Sequence, residues 1–205
     1  MTMRIVLASN NAGKLHELGA LFQPLGIELI PQGQLLQGEA PEPFHTFVEN
    51  ALSKARFAAK HTGLPSIADD AGLCVDAFGG LPGVQTAFYA TQFGYPKDDW
   101  HNVQALLEQL KPHSNRHASM VSTLVGVRHP QDPQPLIAVG RVQVQIAPER
   151  KGDKGFGFDP VLWLPELQKT FAELPEDVKN RYSHRGRAAA TMRELVREHW
   201  LPSHR

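Results

Sequence analysis

Apolar positions in this chain fall into runs of two kinds. Residues 4–9 hold Ile5, Val6, Leu7 and Ala8 with no polar alternation, which predicts a buried strand. Residues 13–23 place Leu15, Leu18, Leu21 and Phe22 on one stripe, a helical period that Pro24 and Gly26 end. Residues 27–30 predict a second short strand, and strand–helix–strand suggests a βαβ unit. Residues 31–43 are a Pro- and Gly-containing loop that carries Glu39 and Glu42. From 44 to 61 the stripe Phe44, Phe47, Val48, Ala51, Leu52 and Ala55 predicts a helix, stopped by Gly63 and Pro65.

Residues 66–68 predict a very short strand that runs into Asp69-Asp70-Ala71-Gly72, where Gly72 allows a sharp turn. Residues 73–78 resume an extended pattern, and 79–83 (GGLPG) form a tight turn. Asp98 or Asp99 caps a helix whose apolar positions are Trp100, Val103, Leu106, Leu107 and Leu110. Residues 117–128 and 136–147 are long strand-like runs joined by HPQDPQP, and they read as an antiparallel pair. Residues 151–160 are a Gly-rich loop, and 188–199 close the chain with a helix on Ala189, Met192, Leu195 and Val196. The fold class expected is α/β: a mixed sheet with flanking helices, forming one domain over residues 1–205 with two lobes and a crevice where a ligand would sit.

Composition narrows the partners. Hydrophobic residues make up 41% of the 205 and charged residues 20%, a globular profile. Lys+Arg and Asp+Glu are 21 each, which argues against nonspecific nucleic-acid binding while allowing a local anion site. The lone Cys74 excludes an intramolecular disulfide and a four-thiolate zinc site, and it reads as a buried core thiol. A single cysteine fits a cytoplasmic, reducing setting, and the N-terminal apolar run is too short for a signal peptide or a membrane span, so no membrane contact is expected. His16, His45, His61, His101, His113, His117 and His129 are scattered and make no case for a metal site, and Trp100, Trp163 and Trp200 read as packing residues.

Four stretches carry candidate chemistry. Ser9-Asn10-Asn11-Ala12-Gly13-Lys14 sits at a strand-to-helix turn, where backbone N–H groups and the helix dipole favour an anion; its spacing is not that of GxxxxGK[ST]. An ordinary loop with a surface lysine is the alternative. Asp69 and Asp70 are adjacent acids on a strand, facing opposite ways, and such a pair is tolerated where a cation or proton offsets it. Magnesium suits one or two carboxylates plus phosphate oxygens, and Glu42 or Glu39 supplies a second oxygen; a turn-capping pair is the alternative. Gly155-Phe156-Gly157-Phe158-Asp159-Pro160 presents an aromatic between glycines, either a stacking platform for a planar base or a bulge with core aromatics. The segment 179–187 (KNRYSHRGR) is a basic cluster, either for phosphates and a base carbonyl or as a solvated helix start in which Ser183 caps.

Taken in order, SNNAGK, FVENALSKA, ADDAGLCVDAFGGLPGV, GFGFDP, FAEL and KNRYSHRG resemble the inosine triphosphate pyrophosphatase family over nearly the whole chain. The resemblance implies a long central sheet with the substrate in a cleft between two lobes, usually in a homodimer. It implies magnesium-dependent conversion of ITP, dITP or XTP to the monophosphate and pyrophosphate. By the same resemblance Ser9, Asn10, Asn11, Ala12, Gly13 and Lys14 hold phosphates, Asp70 binds magnesium and accepts a proton, and Ala71 contacts substrate. Phe156 stacks on the base with Gly157, Phe158 and Asp159 completing that wall, Lys179 reaches the phosphates, and His184 and Arg185 read the purine 6-oxo edge.

The chain departs from the family pattern in places. Ser9 stands where Thr is common, Ala71 replaces a serine, and Phe88 in Thr86-Ala87-Phe88-Tyr89 replaces an arginine. Pro41 occupies a position that is acidic in some members, which leaves Glu42 as the second metal ligand. These departures keep open a pyrophosphatase for pyrimidine or modified nucleotides. A nonhydrolytic nucleotide-binding module is the other alternative.

Overall fold

The structure, a computed structural model, describes residues 2–201. Its seven strands form one mixed sheet in the order β2-β1-β3-β4-β5-β6-β7, with helices packed on it. The chain divides into two compact units, and β3, β4 and β5 each contribute residues to both.

The first unit comprises Met1–Asp70, Ser122–Gly140 and His184–Arg205. Here β1 (Arg4–Leu7) pairs in parallel with β2 (Glu28–Pro31) on one side and β3 (Ser66–Val75) on the other. Alternation along β1 explains why the residues after the exposed Arg4 are all apolar. Ile5 and Leu7 pack with Leu18 and Phe22 of α1 (Ala12–Phe22) and with Ala188, Ala189 and Met192 of α5 (His184–His199). Val6 and Ala8 pack on the opposite face with Ala55, Ala58 and Ala59 of α2 (Phe47–Thr62). Strands covered on both faces are apolar throughout. Helix α2 starts later than its apolar stripe suggests. Thr46 caps it by accepting from Glu49 N, and Phe44 lies outside it, 41% exposed, its backbone held at both ends by the Asn50 side chain.

The second unit comprises Ala71–Val121 and Arg141–Ser183. Its core gathers Leu73 and Val75 of β3, Val103, Leu106 and Leu110 from the α3 region (Asp99–Gln109), and Val142, Val144 and Ile146 of β5 (Leu136–Ile146). Strand β6 (Leu162–Leu164) pairs antiparallel with β5 and with β7 (Lys169–Thr170). The short β6 and β7, a 3-10 stretch over Gly83–Phe93, and α4 (Glu176–Tyr182) have no counterpart in the sequence expectations; they are too short or too irregular to show a period. Strands β4 (His117–Val127) and β5 are sheet neighbours, as their joined runs suggest.

Other expectations change, among them that for Cys74, read as a buried core thiol and in fact only partly buried. Strand β3 is one ten-residue strand that passes straight through Asp69-Asp70-Ala71-Gly72, so there is no turn at Gly72 and the acids are mid-strand. Helix α5 begins at His184, before the expected 188. Trp100, expected to pack, is 62% exposed. Among the described residues no helix is long and apolar enough to cross a membrane.

Candidate functional site

In the first unit the loop after β1 is shaped by its own side chains. Ser9 Oγ accepts from Asn11 N at 3.1 Å, and Asn11 Oδ1 caps α1 by accepting from Lys14 N at 3.0 Å. Helix α1 therefore starts with its N–H groups on the loop side, the arrangement that favours anions. Lys14 reaches β3, where its Nζ lies 3.1 Å from Asp69 Oδ2 and donates to the Asp69 carbonyl at 3.2 Å. Burial holds the Lys14 ammonium below the usual lysine range despite Asp69. Asn10 Nδ2 donates to Glu39 Oε1 at 3.0 Å, which engages Glu39 with the loop.

The two aspartates face different partners, as strand alternation requires. Asp69 accepts from Ser122 Oγ at 2.6 Å and from Arg185 Nε and Nη2 at 3.2 and 3.1 Å. Burial alone would raise its pKa, but Lys14 and Arg185, with the Ser122 hydroxyl, outweigh burial and hold the carboxyl well below the usual range. Asp70 is different. Burial pushes its pKa up, and this outweighs Lys54, whose Nζ lies 3.2 Å from Oδ1. The other oxygen, Oδ2, is buried with no hydrogen-bond partner.

Lys54 Nζ also lies 2.8 Å from Glu42 Oε2. Glu42 and Asp70 thus converge on one cation, the ammonium of Lys54, and Asp70 has a buried acceptor to spare. Among the described residues there is no group of three His, Cys, Asp or Glu side chains that could hold a metal. Two converging carboxylates, one with a buried unpartnered oxygen, fit an ion that takes one or two carboxylates and finds its other ligands in water and phosphate, as magnesium does.

His184 and Arg185, read as a basic surface stretch in one alternative, are both buried in the first turn of α5. Arg185 Nη1 lies 2.6 Å from Glu17 Oε2 while its other nitrogens hold Asp69, so one guanidinium links α1 to β3. Gly140 on β5 makes this burial possible. A Cβ there would run into the His184 carbonyl oxygen and lie 2.5 Å from Ala188 N. Gly140→Ala should lift the first turn of α5, costing about 1–3 kcal/mol and lowering turnover as His184 and Arg185 shift. Urea denaturation and steady-state kinetics on the same preparation check this; unchanged values for both would contradict it.

The second unit holds the aromatic element. Gly155 has φ +75°, and a Cβ there would run into the Asp159 carboxylate, so glycine is needed on both counts. Asp159 Oδ2 accepts from Phe156 N at 2.9 Å and from Lys179 Nζ at 2.6 Å. Lys179 Nζ sits 5.2 Å from the centroid of the half-buried Phe156 ring. Phe158 is buried in the core, so it supports this wall from behind. Ala71 is partly exposed on β3, and Leu73 N donates to Thr86 Oγ1 at 2.9 Å nearby in sequence. Where an arginine was expected, Phe88 carries the ammonium of Lys97 at 3.8 Å from its ring centroid.

The structure thus brings Lys14, Asp69, Asp70, Glu42 and Arg185 into one charged cluster within the first unit. It brings Phe156, Asp159 and Lys179 together within the second. Glu17, Ser122 and Lys54 went unassigned at the sequence level. Lys54 lies inside the FVENALSKA motif, and the one signal for Glu17 is that it is an acid beside the apolar stripe of α1.

An open α/β sheet with a helix N-terminus at the loop after β1, and a buried acid that converges with a second carboxylate, has the chemistry that suits a phosphate-bearing ligand. A family model described as the Ham1 family matches residues 5–195. A dITP/XTP pyrophosphatase of Paracidovorax citrulli is 68% identical, over 97% of this chain and 100% of its own. One of Delftia acidovorans is 67% identical over the same shares. The solved HAM1 protein from Coxiella burnetii superposes with a TM-score of 0.88 at 41% identity, covering 96% of this chain and 100% of its own. The Staphylococcus aureus Ham1 protein gives 0.83 at 34%, covering 95% and 98%. The chain belongs to the Ham1 family.

Proposed function

We propose that this chain hydrolyses non-standard purine nucleoside triphosphates, ITP, dITP and XTP, to the monophosphate and pyrophosphate. This removes them before they enter nucleic acid. Asp70 carries the reading: a buried carboxylate with a raised pKa, one oxygen beside Lys54 and the other unpartnered. Relatives 68% identical over essentially their full length carry the name dITP/XTP pyrophosphatase, which supports the same activity here. We place the enzyme in the cytoplasm as a homodimer, each chain acting as one domain.

Asp70 and Glu42 are the residues to hold magnesium, which would draw charge from the phosphates and acidify water. Asp70 orients the attacking water at the α-phosphorus and accepts its proton, a role that its raised pKa suits. Lys14, with Ser9, Asn10, Asn11 and the backbone of Ala12 and Gly13, takes the phosphates and offsets the charge on the departing pyrophosphate. Ala71 meets substrate through its backbone. Phe156, with Gly157 and Asp159, faces the base, and Lys179 steadies Asp159 beside it. That pairing turns Lys179 towards the base wall, where the resemblance alone assigns it to the phosphates.

His184 and Arg185 read the 6-oxo edge of the purine. A donor aimed at that carbonyl is left unpaired by the 6-amine of adenine, and such mismatches discriminate strongly. Arg185 suits this because Glu17 and Asp69 fix its plane. Steady-state kinetics with ITP, XTP, dITP, ATP and dTTP test the assignment. We expect kcat/KM for ITP to exceed that for ATP by at least about 100-fold. Equal turnover of the two would contradict it, and faster turnover of dTTP would move the enzyme to pyrimidine substrates.

A further inference from the structure

Two contacts made by residues outside the candidate motifs, Asp99 and Arg150, tie the Phe156 loop to the start of α3. Gly157 N donates to Asp99 Oδ2 at 2.7 Å. Upstream, Arg150 Nη2 donates to the Trp100 carbonyl at 2.5 Å, and its guanidinium carbon lies 3.6 Å from the Trp100 ring centroid. Asp99 and Trp100 are the first two residues of α3. The segment from 150 to 157 is therefore pinned near both ends to a single helical turn.

That turn is a firm support. Asp98, not Asp99, is the cap: its Oδ1 accepts from His101 N at 2.8 Å. Asn102 Oδ1 accepts from Ala90 N at 2.8 Å, and Val103 and Leu106 are buried in the core. Capping is thus complete without Asp99, whose carboxylate reaches the loop instead. The loop needs such a tether. Phe156 lies between Gly155 at φ +75° and Gly157 at φ +62°, and flanking glycines give a chain much freedom to lose. Two successive amides are each taken by a carboxylate, Phe156 N by Asp159 and Gly157 N by Asp99.

We infer that Asp99 is a positioning residue for the base platform, acting through the Gly157 amide, while Trp100 and Arg150 fix the other end of the loop. The inference rests on Phe156 being the surface that meets the base. Asp99 acts on the Gly157 amide of the base wall, so its loss weakens recognition of the base and leaves bond cleavage intact. It is exposed and does not cap the helix, so its variants fold.

The test measures inhibition constants of IMP and of inorganic pyrophosphate, with kcat and KM for ITP. The proteins are full-length wild type, Asp99→Ala, Asp99→Asn and Phe156→Ala. Losing a charge-assisted hydrogen bond to the loop should raise the IMP constant and KM for Asp99→Ala about tenfold, with kcat within about twofold. Pyrophosphate, which lacks a base, should bind unchanged, and Asp99→Asn, which keeps an acceptor, should stay within about threefold of wild type. If Phe156→Ala weakens IMP but Asp99→Ala does not, the tether is overturned and the platform stands. If Asp99→Asn is as impaired as Asp99→Ala, or pyrophosphate weakens equally, the positioning role is overturned. If Phe156→Ala leaves IMP binding unchanged, the platform fails and the inference falls with it.

Discussion

Asp70→Asn should abolish turnover while leaving the protein folded. Asp70 is the carboxylate that combines burial, an unpartnered oxygen and a shared cation with Glu42. Asparagine keeps its shape but can neither take a proton from water nor bring a charge to a divalent ion. General-base loss alone is worth about 10²–10⁴ in rate, and loss of metal binding adds to it. Stability should move the other way or not at all. A carboxyl whose folded pKa is raised stabilises the fold only while protonated, and that contribution is lost as pH rises through the folded value. Above the folded value wild type therefore carries an unfavourable charge that the variant lacks. Thermal denaturation in metal-free buffer should give Asp70→Asn a midpoint equal to or above that of wild type. Turnover above about a hundredth of wild type would remove Asp70 from its role.

Asp69→Ala should give the largest loss of stability. Its carboxylate is shared by Lys14 and Arg185, and breaking a buried ion pair from one side costs about 3–5 kcal/mol. The pH dependence follows from the direction of its shift. A depressed folded pKa contributes stability that is complete above the unfolded value and is lost as pH falls through the folded one. The gap between wild type and Asp69→Ala should be full near neutral pH and should narrow below about pH 4. Urea denaturation across that range measures it; a gap that is small at neutral pH, or constant on acidification, would contradict the assignment. Loss of activity in this variant would follow from displaced Lys14 and Arg185.

What the sequence showed and what it hid divide along a physical line. The strand β1, the helices α1, α2 and α3, and the long strands β4 and β5 were legible because their packing writes a period into neighbouring residues. Strand β3 was not legible as one element. Asp69-Asp70 and Gly72 look like a turn until Ser122 and Arg185, far away in the chain, arrive to satisfy Asp69. The start of α5 was hidden for the same reason. His184 and Arg185 sit in a basic run that looks solvated, and Gly140, Glu17 and Asp69 make room and charge for their burial. Asp70, Lys14 and Phe156 were legible as candidates from motif order, whereas Glu17, Lys54 and Asp99 take their roles from partners distant in the chain: Arg185, Asp70 and Gly157.

The central claim is that water attacks the α-phosphorus beside Asp70 and pyrophosphate leaves. Hydrolysis of ITP in heavy-oxygen water, with mass analysis of both products, tests it most directly. The account predicts IMP carrying the heavy oxygen and unlabelled pyrophosphate. Label in the pyrophosphate, or release of orthophosphate with IDP, would contradict it.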